Sequence, residues 1–137
     1  MVMLLERWDP RNEADEPWID FFGELVSLYP TMNSSEYALL ADMQKGISKA
    51  QKLKLPNMCR TICYEHMKLN VAKIAGTAML QVFEKAAYAT RPDVFDKAME
   101  KATPKLTKYL TDTYPFCEWA KLFRPHFMRG KMASSVR

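Results

Sequence analysis

Glycine is scarce in this sequence, with four in 137 residues, and no window alternates apolar and polar residues between turn signals. Both shortages argue against strands, so the chain reads as helical throughout. Long hydrophobic runs are missing as well. The longest, residues 74–80 (IAGTAML), falls far short of the ~20 residues a membrane-crossing helix needs. The opening MVMLLERWDP is apolar for five residues and then turns acidic, unlike a secretory signal. Three cysteines make an odd set without framework spacing, which fits a reducing compartment. His66 and His126 are the only histidines. No P-loop, GxGxxG, HExxH, GxSxG or CxxC pattern occurs, so nothing marks an enzyme or calls for a cofactor. These absences describe a soluble, single-domain protein of the cell interior.

What is present is unevenly distributed. Residues 1–42 hold two basic and nine acidic residues, a balance of −7; residues 43–137 hold eighteen basic and seven acidic, a balance of +11. A basic half points to nucleic acid, to an anionic surface, or to pairing with the chain's own acidic half. Lys49, Lys52, Lys85, Lys97, Lys101, Lys105 and Lys108 are scattered among apolar positions at helical spacing, the pattern of a solvated face.

Pro17, after Asp15 and Glu16, opens an amphipathic helix with Trp18, Phe21, Phe22, Leu25, Leu28 and Tyr29, stopped by Pro30. Asn33 and Glu36 form a capping signal for a second helix with the stripe Leu40, Met43, Ile47 and Ala50. Leu55-Pro56 breaks it, and Met58, Ile62 and His66 outline a short helix behind. Asn70 caps the next, which runs to about Ala89 and is apolar on nearly every side over residues 74–80. Such a helix belongs inside a core. Pro92 opens another helix with Val94, Phe95, Ala98, Met99 and Ala102, Pro104 kinks or divides it with Leu106, Tyr109 and Leu110 continuing, and Pro115 opens a last one, FCEWAKLF. The predicted fold is all-α: a globular bundle of about seven helices around one buried central hydrophobic helix. Residues 1–16 form an acidic irregular lead-in, 17–124 one domain, and 125–137 a basic flexible tail.

Two groups of residues suggest chemistry. Cys59, Cys63 and His66 share one face if helical and offer three metal ligands, but the preferred reading is two cysteines packed as small hydrophobes with His66 at the helix edge, and no metal is expected. Asn70 and Lys73 are a polar pair in the first turn of the predicted core helix. A cation there opposes the positive end of the helix dipole, a mismatch with local physics that hints at function. Leu40, Met43, Ile47, Met58, Ile62 and Met67 offer a Met-rich apolar groove beside it, adaptable enough to repack around a docked helix.

NVAKIAGTAMLQVFEKAAY, residues 70–88, resembles the first homology motif of the Bcl-2 family of apoptosis regulators. That motif reads Asn-Trp-Gly-Arg and then an apolar helix; Asn70, Val71, Ala72 and Lys73 stand at those four places. YPFCEWAKLF, residues 114–123, resembles the second, with Trp119 at its tryptophan and Cys117-Glu118 where the family has two glycines. Helix spacing is similar over 17–124, and the compact length looks like that of virus-encoded members. The resemblance implies an anti-apoptotic protein that sequesters pro-apoptotic Bcl-homology-3 helices in a hydrophobic groove, a recognition mode of general standing. Lys73 would meet the ligand's aspartate as a point charge, Asn70 would add a hydrogen bond, and Ile74 and Thr77 would continue the groove. It places the protein in the host cytoplasm, recruited to mitochondria by partners, without a transmembrane anchor, and leaves a homodimer open. The alternative is a small all-helical, basic nucleic-acid-binding or scaffold protein.

Overall fold

The computed structural model describes residues 2–5, 15–41 and 45–128. Seven α-helices dominate them, as the sequence predicts, together with three short strands that it does not. The described residues divide into two compact units, one up to Arg60 and one from Thr61 onward.

The first unit alternates strand and helix. β1 (Val2–Leu5) pairs in parallel with β2 (Ala38–Ala41), Val2 opposite Ala38 and Leu5 opposite Ala41. Parallel neighbours need a long crossover, and α1 (Asp15–Leu28) lies within it. α2 (Lys45–Lys54) then leads to β3 (Cys59–Ile62), and the sheet order is β1-β2-β3. The Cys59 N–H donates to the Tyr37 carbonyl at 3.0 Å, which sets the starts of β2 and β3 side by side. α1 and α2 pack together. Phe22 of α1, Ile47 and Ala50 of α2, Leu39 and Ala41 of β2, and Met32, Leu55 and Met58 share one core. Ala38 and Leu40, on the opposite pleat, are equally buried. The buried Gln51 side chain donates to the carbonyls of Leu55 and Met58 at 3.1 and 3.0 Å, tying the end of α2 to the approach of β3.

This arrangement corrects the reading of residues 33–66. Asn33 caps no helix; its Oδ1 accepts from the Asn57 N–H at 2.9 Å, and residues 33–36 form a turn before β2. The Met58–Ile62–His66 helix is replaced by β3. Cys59 opens that strand, Cys63 precedes α3 (Tyr64–Ala75), and His66 lies inside α3, so they share no helix face. Among the described residues no group of three His, Cys, Asp or Glu could hold a metal ion.

The second unit is helical: α3, α4 (Leu80–Tyr88), α5 (Pro92–Glu100), α6 (Pro104–Asp112) and the single turn α7 (Phe116–Trp119). Its core joins Tyr64, Met67 and Val71 of α3 to Phe83, Ala86 and Ala87 of α4, with Phe95, Leu106, Leu110 and Trp119 from the later helices. Tyr64 stacks on Phe83 at 5.4 Å, and Trp119 touches Phe83 and Phe95 at about 6 Å between ring centroids. Arg124 is 2% exposed and donates to the carbonyls of Ile62 and Glu118 at 3.1 and 3.2 Å. Burial pushes its guanidinium down to about 10. Met128 is fully buried, so the chain stays packed past Pro125, where a flexible tail was expected.

The buried central helix does not form. α3 ends at Ala75, Gly76 turns the chain with φ 90° and ψ 160°, Thr77–Met79 is a 3-10 turn, and α4 starts afresh at Leu80. That backbone region is open essentially to glycine alone. The apolar run is thus shared among three short elements.

Candidate protein-binding surface

α3 sets the site. Tyr64, Met67 and Val71, at i, i+3 and i+7, face the core, so Leu69 and Lys73, at i and i+4, face solvent. Beyond them Ile74, Thr77 and Ala78 are exposed, with Met79 and Leu80 half-buried. Leu69 is 61% and Ile74 40% exposed. The most apolar stretch of the chain therefore lies at the surface, where contiguous apolar area marks interaction sites.

Lys73 stands in the last turn of α3, where a cation suits the helix dipole; the predicted first-turn mismatch is absent because the helix begins six residues before Asn70. Among the described residues no carboxylate is ion-paired with Lys73. Asn70 is inside α3 rather than capping it, and its side chain hydrogen-bonds Tyr109 of α6. Its amide thus ties two helices together. Burial raises the Tyr109 hydroxyl above its ordinary pKa.

Of the other expected groove residues, Leu40, Ile47, Met58, Ile62 and Met67 are all buried. They are packing residues and line no open groove. Met43 lies outside the described residues. Lys73, Ile74 and Thr77 are brought to one exposed segment, and the structure adds Leu69 and Ala78 to it. Leu69 was detectable as the apolar residue one turn before Lys73, once the helix start is moved to Tyr64. No family model, no curated protein and no solved structure matches this chain. No helix among the described residues is long and apolar enough to cross a membrane.

Proposed function

We propose that this chain is a helix-binding protein, which captures an amphipathic partner helix carrying an acidic residue on the surface formed by Leu69, Lys73, Ile74 and Thr77. The exposure of its most apolar segment carries the reading. Leu69 and Ile74 each gain about 1.5–3 kcal/mol if a partner takes them fully out of water, less what each already buries. Lys73, without a carboxylate of its own, selects an acid on that partner. The resemblance to the Bcl-2 family supplies the ligand class: pro-apoptotic helices, held away from mitochondria so that apoptosis of a host cell is inhibited.

Calorimetry against a panel of pro-apoptotic helix peptides tests this. A member of the panel should bind with an affinity that changes little as salt rises, since apolar contacts dominate. The competing nucleic-acid reading expects affinity for a duplex that falls steeply with salt. On α5 the acids Asp93, Asp96 and Glu100 interleave with Lys97, which dilutes any basic stripe there. No peptide binding, with salt-sensitive duplex binding, would overturn the proposal.

A further inference from the structure

We infer that the aromatic platform of Phe95, Phe116 and Phe123 docks on an anionic lipid surface. It shares no residue with the Lys73 surface and does not rest on it. Phe116 opens α7 and Phe123 closes the 3-10 turn Lys121–Phe123, with Ala120 in extended backbone between them. The two rings meet at 5.4 Å between centroids, and both lie against Phe95 of α5, at 5.3 and 5.0 Å. Phe95 is buried, Phe116 half-buried and Phe123 44% exposed. Three mutually touching rings that end at solvent make a contiguous apolar face, unlike a single scattered surface residue.

Charge selects what covers it. Residues 119–137 hold five basic residues, Lys121, Arg124, Arg129, Lys131 and Arg137, and no acidic one. Arg124 is enclosed and engaged by the carbonyls of Ile62 and Glu118. Lys121, in the same 3-10 turn as Phe123, has no carboxylate partner among the described residues. The acids nearest in sequence lie off the platform. Glu118 is two residues, about 200°, round the helix from Phe116, and Asp96 is about 100° round α5 from Phe95. Asp93 is held by Arg91, with Nη2 2.5 Å from Oδ2.

Exposed aromatic rings beside lysine and arginine are the composition of an interfacial membrane contact. The rings enter the boundary between headgroups and acyl chains while the cations meet anionic headgroups. Such a surface asks for apolar insertion and positive charge in one place, without a fixed pattern of partners. The run from Trp119 onward supplies both, and Phe127, 43% exposed, adds another ring to it.

Co-sedimentation of the full chain with vesicles tests the inference, phosphatidylcholine alone against the same lipid with roughly one-third phosphatidylserine. The wild type should bind the anionic vesicles about tenfold or more tightly, and lose that preference in high salt. Phe123→Ser should weaken anionic-vesicle binding roughly tenfold with an unchanged helical spectrum. Lys121→Glu should weaken it too. Phe123→Trp should keep the binding and add to the wild-type fluorescence an emission that shifts to the blue on vesicles and is quenched by brominated lipid. No binding to anionic vesicles would overturn the inference and leave the face to a protein partner. Equal binding to both vesicle types would overturn it as well. So would binding that Phe123→Ser leaves intact, which would belong to the basic residues alone.

Discussion

Ala38–Ala41 and residues 74–80 are both almost purely apolar, yet the first is buried at every residue and the second at none. Composition does not separate them. β2 lies between β1 and β3, so both its edges are hydrogen-bonded and side chains on both pleats find neighbours. Residues 74–80 are divided by Gly76 among the end of one helix, a 3-10 turn and the start of another. No single face remains for a core to cover. Apolar sequence is buried where regular backbone lets it meet neighbours on every side, and otherwise becomes surface for something else.

The comparison can be broken by mutation. Leu40→Ala should cost about 2–5 kcal/mol in urea unfolding, because the side chain is wholly enclosed and leaves a cavity. Gly76→Ala should cost about 1–3 kcal/mol, the strain of placing a Cβ residue in that backbone region. A neutral result would mean the break at Gly76 is not obligatory. Leu80→Ala should cost only about 1 kcal/mol, since a half-buried side chain loses part of its transfer energy and leaves no closed cavity. Equal costs for Leu40→Ala and Leu80→Ala would erase the distinction between the two stretches.

The second unit also carries a pH signature. Burial, then the charges of Glu84, Tyr88 and Glu65, pushes the Tyr64 hydroxyl from 10.0 up to about 12. The unfolded chain loses this proton first, so stability is intact below pH 10 and falls as pH rises towards about 12. Tyr88, shifted the same way, adds to that fall. Tyr64→Phe should flatten the alkaline limb of a stability–pH curve; an unchanged slope would mean Tyr64 titrates normally.

How far the sequence disclosed this molecule follows the same physics. α5 was legible because Pro92 stands in its first turn; Pro104 signalled a kink or a division, and the structure shows a division, with Thr103 capping the separate α6 by accepting from the Leu106 N–H at 3.3 Å. α1 was legible from its one-sided apolar stripe. The strands were not. Each has four residues, and β2, buried on both faces, shows no alternation to tell it from a helical segment. The site was half legible. An apolar stripe reads alike whether it packs a core, as Ile47 and Met67 do, or faces solvent, as Leu69 and Ile74 do. Arg124, in a basic stretch, gave no sign of burial, since the carbonyls that hold it come from Ile62 and Glu118.

The smallest expected effect on stability leads to the most direct test. Lys73→Glu should leave unfolding within about ±0.5 kcal/mol, as surface changes do. Against a pro-apoptotic helix peptide with a central aspartate, the same variant sets two carboxylates together and should lose about 2–5 kcal/mol of binding. Titration calorimetry would read that as a roughly thirtyfold or greater loss of affinity. Replacing the peptide's aspartate by lysine should restore part of it. Equal affinities for wild type and Lys73→Glu, with the fold intact, would contradict the claim that this exposed apolar surface is a docking site keyed by Lys73.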